Sequence, residues 1–333
     1  MDRSLSDRLP PRFVVTIDTE EEGLWSGNYA AQGEVTNIRG VPRFQDLCDR
    51  FQIRPTYLVD TPVLQSDEAT DILRPIQDTG RAEIGAHLHP WNTPPLSEER
   101  TPRNSYLCNL PVQLQRAKLQ TLTEQIESRY GRRPTSFRAG RYGLDAEGAK
   151  ILADLGYLVD SSVLPYANYQ PESGPDFRHA PLTPYHVGTV DLLQPMLPHE
   201  EMPHALLEVP VTAGFTHRWF EVASRLHRAA HVQPLRGMRA VGVLDRLGIA
   251  TKVKLSPEQA SAGQMKKLIH ACLDRTHPVL VLMFHSSSLV PGFSPYVKSE
   301  DELNQFLDRL EEVFRFCTQH HFMRASTLSE CVN

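Results

Sequence analysis

The chain has 333 residues, enough to bury a large core as one barrel-sized domain or as two smaller ones. Its 35 Lys and Arg are balanced by 40 Asp and Glu, and a net charge of -5 gives no sign of a nucleic-acid partner. The five scattered cysteines include no Cys-x-x-Cys pair, which argues against a disulfide framework and for reduced thiols. A polar start and the lack of any apolar run near ~18 residues predict a cytoplasmic protein that does not cross a membrane.

Short apolar runs alternate with amphipathic stretches, the pattern of strands joined by crossover helices. The predicted strands cover residues 13–18, 55–60, 82–89, 135–139, 157–162, 206–212, 279–285 and 322–326. The predicted helices cover residues 111–130, 145–155, 256–275 and 299–320, with Ser256 and Ser299 as N-terminal caps of the last two. Seven or eight such units in series predict an α/β barrel, in which active sites lie where strands end and the following loops begin.

Two of these strand ends carry side chains that suit a metal ion. His87 and His89 end one apolar run, and Asp18 and Glu20 end another, with the same spacing of two residues. Residues i and i+2 of a strand share a face, so each pair points to one side. Two imidazoles with one or two carboxylates suit a borderline-soft divalent cation. The alternative interpretation is that the histidines cap a core strand and bind backbone groups.

Three further strand ends carry polar side chains, at 138–143, 160–162 and 285–288. Taken in order, the five ends resemble the motifs of the polysaccharide deacetylase family, also called the NodB homology or carbohydrate esterase family 4 domain, over about residues 12–330. The resemblance implies an α/β fold of the distorted (β/α)7 barrel type. It also implies a hydrolase of C–N bonds that uses a divalent metal, Zn²⁺ in the first place, with Co²⁺, Ni²⁺ or Mn²⁺ as alternatives.

Four segments are similar to one branch of this family, which is linked to the synthesis of surface polysaccharide and lipopolysaccharide and is often called WalW-like. They are residues 55–60, 83–91, 137–143 and 284–292. The sequence also departs from the family pattern twice. Thr19 stands where the first motif usually has its second aspartate, and the histidine pair is spaced by two residues where the family spaces it by four.

The resemblance assigns metal binding and base catalysis to the first strand ends. Glu20, His87 and His89 would hold the metal, with Asp18 as a further ligand. Asp18 would also take the proton of the attacking water. Arg138 resembles the arginine that pairs with this aspartate and keeps it ionised. Arg138 also fits an ordinary surface or interface ion pair.

The remaining motifs are assigned to leaving-group protonation and to substrate binding. His285 would protonate the leaving amine while Asp160 orients its ring. The backbone N–H of Tyr142 would donate to the oxyanion, with Arg141 beside it in the substrate site. Trp91 would present an apolar face to a sugar ring. Asp160 also fits a helix cap or turn, and Trp91 fits a packing role.

The predicted domain organisation is an N-terminal extension at 1–11 and a single domain at 12–330 with a basic insertion at 217–254. The insertion holds eight Lys or Arg and two acids. It predicts either a solvated helical face or an arm that attracts an anionic carrier or the membrane surface.

The sequence predicts a metal-dependent hydrolase that removes an N-acetyl group from a sugar or sugar conjugate in surface polysaccharide synthesis. Two alternatives remain open at this point. One is a metal-independent C–N hydrolase acting on a small cyclic amide, and the other is a catalytically silent barrel that binds carbohydrate. Metal content separates the first alternative, and acetate release separates the second.

Overall fold

The structure, a computed structural model, describes residues 9–27, 29–30, 33–188, 190–197, 205–216, 222–223, 225 and 252–332. In these ranges the chain is an α/β fold in which most neighbouring strands run parallel. No helix within the same ranges is long and apolar enough to cross a membrane.

The strands are β1 (Arg12–Thr19), β2 (Thr56–Val59), β3 (Glu83–Leu88), β4 (Ser136–Ala139), β5 (Val159–Asp160), β6 (Tyr185–His186), β7 (Leu207–Glu208), β8 (Ala213–Phe215), β9 (Lys252–Lys254), β10 (Val279–His285) and β11 (Arg324–Ser326). Nine of them form one sheet in the order β10-β1-β2-β3-β4-β5-β7-β6, with β11 beside β1. Every pair in it is parallel except β6 with β7, and β8 pairs antiparallel with β9. Each predicted apolar run contains one strand of the sheet.

Backbone hydrogen bonds curl the two ends of this sheet towards each other. The N–H of Thr212, just after β7, donates to the carbonyl of Val281 on β10 at 3.2 Å. The N–H of Met283 donates to the carbonyl of Leu255, just after β9, at 3.1 Å. Irregular segments at Thr212 and Leu255 therefore complete the barrel in place of a regular strand. The predicted distorted barrel is confirmed.

Side chains along each strand point alternately into the barrel interior and towards the helical layer. Along β1, Phe13, Val15 and Ile17 join the large core beneath the helices, whereas Val14 belongs to a smaller cluster inside the barrel. The residue on the inner face at the end of β1 is Asp18, which is buried. The same alternation turns the polar residues of β3 and β4 inward.

The helices are α1 (Val41–Arg50), α2 (Thr61–Gln65), α3 (Asp67–Asp78), α4 (Val112–Tyr130), α5 (Ala146–Asp154), α6 (Ala262–Asp274) and α7 (Glu300–Arg315). The predicted cap at Ser256 is wrong, because α6 begins after Ser261. The hydroxyl of Ser261 accepts from the N–H of Gln264 at 3.2 Å, and the Gln264 side chain accepts from the N–H of Ser261 at 2.9 Å. Ser299 caps α7, since its hydroxyl accepts from the N–H of Glu302 at 3.3 Å.

Most of the basic insertion predicted at 217–254 lies outside the described residues. Its last residues, Lys252–Lys254, form β9, and the Lys252 ammonium donates to the carbonyl of Tyr166 at 2.8 Å. The predicted role of the insertion therefore stays a prediction.

Candidate active site

Strand register brings the predicted motifs to one rim of the barrel. Asp18 on β1 lies opposite His285 on β10, and His87 on β3 lies opposite Arg138 on β4. Because these strands are parallel, their carboxyl ends meet at the same rim. A cavity of about 450 Å³ opens there, and all the predicted site residues except Arg138 and Asp160 line it.

Three of the predicted metal ligands converge on one point. The Nε2 atoms of His87 and His89 lie 3.1 Å apart, and the Oε2 atom of Glu20 lies 3.2 Å and 3.3 Å from them. In a tetrahedral zinc site with bonds of 2.0–2.1 Å, neighbouring ligand atoms are about 3.3 Å apart. All three side chains are buried, and each offers one ligand atom to the same point. The donor set and its spacing therefore fit a divalent metal. Asp18 lies outside this group, which corrects its assignment as a metal ligand.

The position of Glu20 just beyond β1 is fixed through its backbone. Its N–H donates to the hydroxyl of Ser286 at 3.2 Å, and its carbonyl accepts from the side-chain amide of Asn37 at 3.0 Å. Burial raises the pKa of Glu20 to about 8, although His285 and His89 act in the opposite direction. A cation bound at the carboxylate would hold it in the ionised form.

His89 is supported by a second layer of buried groups. Its Nδ1 lies 3.4 Å from a carboxylate oxygen of Glu21 and 3.8 Å from one of Asp60. A carboxylate behind a ligating imidazole fixes the tautomer and orients the ring. Burial raises the pKa of Asp60 well above its usual range. For Glu21, His89 and hydrogen bonds from Asp60 and Trp91 outweigh burial and lower the pKa.

A buried ammonium holds the loop that follows His89. Lys118 on α4 is fully buried, and its Nζ donates to the carbonyls of Pro90 at 2.8 Å, Thr93 at 2.7 Å and Pro95 at 2.8 Å. It also pairs with Glu98 at 2.8 Å. These contacts connect the loop after His89 to α4, a helix of the outer layer.

Asp18 forms a buried ion pair across the barrel. Arg138, which is 0% exposed, donates from Nη1 to Oδ1 of Asp18 at 2.6 Å, and its Nε donates to the carbonyl of Ser161 at 2.9 Å. Burial alone would raise the pKa of Asp18, but Arg138, followed by His87 and His285, outweighs it and lowers the pKa to about 2. The carboxylate is therefore ionised throughout the physiological range.

His285 is held by Glu258, a residue that the sequence did not indicate. Its Nδ1 lies 3.1 Å and 3.0 Å from the two carboxylate oxygens of Glu258, and its backbone N–H donates to the same carboxylate. Burial alone would lower the pKa of His285, but Glu258 and then Glu20 outweigh it and raise the pKa to about 9. The ring is therefore positively charged at neutral pH, with Nε2 on the side of Glu20.

The assignment of Asp160 as the partner of His285 is wrong. Its carboxylate accepts from the hydroxyl of Ser162 at 2.6 Å and from the N–H of Ser162 at 3.2 Å. It lies beside Glu208 on the next strand, and burial raises the pKa of both carboxyls. Asp160 thus follows the alternative interpretation of a local turn residue.

Trp91 lines the cavity, but its ring is taken up by packing against His89. It is 5% exposed, its ring is stacked on His89 at 4.2 Å, and its indole N–H donates to Glu21 at 3.0 Å. The predicted sugar platform at Trp91 is corrected accordingly. Trp25 is the more available aromatic at the cavity, because it is 42% exposed and meets His285 edge to face at 5.1 Å.

The third motif adopts an unusual backbone conformation at the cavity wall. Arg141 and Tyr142 have φ angles of 55° and 58°, in the left-handed region. They follow Gly140, where a Cβ atom would lie 2.0 Å from Cδ2 of His89. A glycine is required there because the His89 ring occupies the space of a side chain. Tyr142 and Arg141 both line the cavity, and their roles in substrate binding stay a prediction.

Sequence reasoning missed several residues of the site, and only some left a signal. Glu21 was visible, because it follows Glu20 directly, and Asp60 ends an apolar run. Glu258 was hidden in a predicted helix start. Lys118 sits in an ordinary amphipathic pattern that gives no sign of its burial.

Comparison with known proteins identifies the fold. No protein-family model matches the chain, and no curated protein matches it. A candidate polysaccharide deacetylase from Mycobacterium smegmatis matches with 16% identity and a TM-score of 0.54, over 96% of this chain and 88% of that one. A candidate glycoside hydrolase/deacetylase from Parabacteroides distasonis matches with 14% identity and a TM-score of 0.62, over 97% of this chain and 70% of that one.

A 4-alpha-glucanotransferase from Thermococcus litoralis matches with 14% identity and a TM-score of 0.50, over 98% of this chain and 40% of that one. At such identities the likeness concerns the fold, which hosts more than one chemistry. The chain therefore has the NodB-like α/β barrel fold found in polysaccharide deacetylases.

Proposed function

We propose that the chain is a metal-dependent hydrolase that removes an N-acetyl group from a sugar or sugar conjugate. The observation that carries this proposal is the convergence of Glu20, His87 and His89 within 3.3 Å, at a cavity that Asp18 and His285 also line. The arrangement supplies a metal group, a base and an acid around one cavity. Metal-assisted amide hydrolysis uses these three elements together.

The metal group and Asp18 serve the attack of water. A divalent cation at Glu20, His87 and His89 would act as a Lewis acid that lowers the pKa of water and polarises the acyl oxygen. Asp18 accepts the proton of the attacking water. One of its oxygens is engaged by Arg138, and among the described residues its Oδ2 has no hydrogen-bond partner.

His285 serves the departure of the amine. Its Nδ1 is engaged by Glu258, which leaves Nε2 to deliver a proton to the leaving nitrogen. The ring is charged at neutral pH, so the proton is in place before the C–N bond breaks. Glu258 acts through the ring and is a positioning residue. The backbone N–H of Tyr142 is the proposed donor to the oxyanion.

We assign Zn²⁺ as the first candidate metal, since two imidazoles and one carboxylate are a zinc donor set. The proposed setting is the assembly of surface polysaccharide or lipopolysaccharide in the cytoplasm, as the WalW-like segments suggest. The proposed layout is one domain at 12–330, with the basic insertion at 217–254 contacting an anionic carrier or the membrane surface.

Metal content and acetate release test the proposal together. The purified protein should contain about one equivalent of metal and release acetate from N-acetylated sugars, and a chelator should abolish the release. Full activity in metal-free protein would favour the cyclic amide hydrolase. Bound metal without acetate release from a broad panel of acetylated sugars would favour the binding barrel.

A further inference from the structure

We infer that the cavity takes acyl sugars that also carry an acidic group, and that Arg141 binds this group. The inference names the substrate class of the proposed deacetylase, so it rests on that function for the acyl chemistry. The acidic group is a carboxylate or a phosphate, which share the same donors.

Arg141 is the only Arg or Lys among the described residues that line the cavity. Its guanidinium is held in place on three sides. It lies over the ring of Tyr106 at 4.2 Å, and Nη1 donates to the hydroxyls of Tyr29 at 3.0 Å and Ser105 at 2.5 Å. A guanidinium fixed by stacking and neutral hydroxyls keeps its positive charge available to an anion.

The chain itself shows that an oxyanion fits at this place. One oxygen of Glu172 accepts from Nη2 of Arg141 and from the hydroxyl of Tyr106 at 3.3 Å. Two donors of different origin thus converge on a single carboxylate oxygen. Glu172 belongs to a three-residue turn, Gln170–Glu172, and also lines the cavity.

The acidic group of a substrate can displace the Glu172 carboxylate from the guanidinium of Arg141. Its side chain is 61% exposed, and exposed ion pairs contribute little to stability because water and salt compete with them. A neutral hydroxyl would not replace a carboxylate on a guanidinium. A substrate carboxylate or phosphate would, since it makes the same charge-assisted hydrogen bonds.

Arg141 and the group formed by Glu20, His87 and His89 line the same cavity. Arg141 directly follows Gly140, which packs against the ring of the metal-group residue His89. The cavity of about 450 Å³ is within the size range of small-molecule sites, about 300–1,000 Å³. The acyl group would lie at the histidine pair and the acidic group at Arg141. The inference concerns Arg141 and makes no use of the basic insertion, whose proposed ligand is a carrier.

Binding and hydrolysis of three matched sugars test the inference. The probes are the methyl glycosides of N-acetylglucosamine, of its C6 uronic acid and of its 6-phosphate, measured by calorimetry and by acetate release. We expect the wild type to bind at least one acidic sugar about 10- to 100-fold more tightly than the neutral one. The two acidic probes distinguish a carboxylate from a phosphate.

Two variants should act in opposite directions. Arg141→Gln should remove the preference for the acidic sugar, so that the acidic and neutral sugars bind with affinities within about threefold of each other. Glu172→Gln should strengthen binding of the acidic sugar severalfold, because it removes the competing carboxylate without disturbing Arg141. Asp154→Asn, which breaks the exposed Arg116 pair away from the cavity, is the matched control and should change neither affinity.

Equal affinity of the wild type for all three sugars would overturn the inference, as would an unchanged preference in Arg141→Gln. Failure of the inference and failure of the proposed function give different results. Acetate release from all three sugars without any preference leaves the deacetylase and removes the acidic subsite. Preferential binding of an acidic sugar without acetate release leaves the subsite and removes the deacetylase.

Discussion

The two sides of the cavity hold their charged groups in different ways. On the metal side, His87 and His89 come from one strand end, and Glu20 follows the end of another strand of the sheet. On the acid side, His285 depends on Glu258, which lies 27 residues earlier in an irregular turn. The first arrangement follows from the strand period, whereas the second requires a tertiary contact. Substitutions on the metal side should therefore weaken or abolish metal binding. Substitutions on the acid side should shift the pKa of His285.

The largest effect is expected from removing a metal ligand. His87→Ala and His89→Ala should each weaken metal binding by more than about 100-fold, because loss of a supporting residue alone typically costs 10- to 100-fold. Elemental analysis after dialysis and competition with a chelator measure the loss. His186→Ala, at an exposed histidine of β6, is the control. Undiminished metal in both ligand variants would move the site elsewhere.

The next largest effect is expected at Asp18. Asp18→Asn should keep the metal but lower acetate release by about 10²- to 10⁴-fold, because an amide does not accept the water proton. It also leaves Arg138 buried without its counter-charge, so a loss of about 3–5 kcal/mol in the free energy of unfolding should accompany it. Glu20→Gln should instead damage metal affinity more than turnover at saturating metal. Opposite phenotypes would exchange the two roles.

The acid side should respond by a shift in pH dependence. His285 must be protonated to act, so activity is retained below its pKa of about 9 and falls above it. Glu258→Gln removes the charge that raises this pKa, and the alkaline fall should therefore move to lower pH. Amide substrates should lose about tenfold or more at neutral pH, while activated esters should be spared.

Asp160→Asn provides the contrast, since Asp160 contacts Ser162 and not His285. The alkaline limb of the pH profile should stay in place in this variant. A shift as large as that of Glu258→Gln would restore Asp160 as the partner of the ring.

The smallest effect is expected at the glycine beside the metal group. Gly140→Ala places a methyl group 2.0 Å from Cδ2 of His89, so the imidazole has to move. We expect metal affinity to fall by about tenfold, in the range seen for residues that orient a ligand. Gly263→Ala in α6, where the space around the new methyl is open, is the control and should keep full metal affinity. An unchanged affinity in Gly140→Ala would mean that His89 tolerates another position.

The metal side was predictable because it depends on local order. The alternation along β1 and β3 sets which side chains face inward, and the parallel register sets that their ends meet. The fold class followed from the same repetition of strand and helix. That repetition also located the strand ends that carry Arg138 and His285. The resemblance paired Arg138 with Asp18, as the structure does, but it did not give Glu258 as the partner of His285.

The partner of His285 could not be predicted, because the sequence around Glu258 also fits the start of a helix. Ser256, a proline and Glu258 have the pattern of a helix start, yet the chain makes a turn there and begins α6 at Ser261. The reciprocal bonds between Ser261 and Gln264 decide that boundary. The freed Glu258 then reaches His285. In the same way, Trp91 looks like a sugar platform until its contact with His89 is known.

The ammonium of Lys118 lies among three carbonyl oxygens and a carboxylate, which is the kind of oxygen shell that a protein-bound potassium ion takes. Here the cation is covalently attached to α4 and cannot be washed away or exchanged. The loop that bears His89 is therefore ordered without drawing on the ionic composition of its surroundings. A rim built in this way keeps its shape whether monovalent salt is scarce or abundant, and the proposed divalent ion is the one cation it would have to acquire.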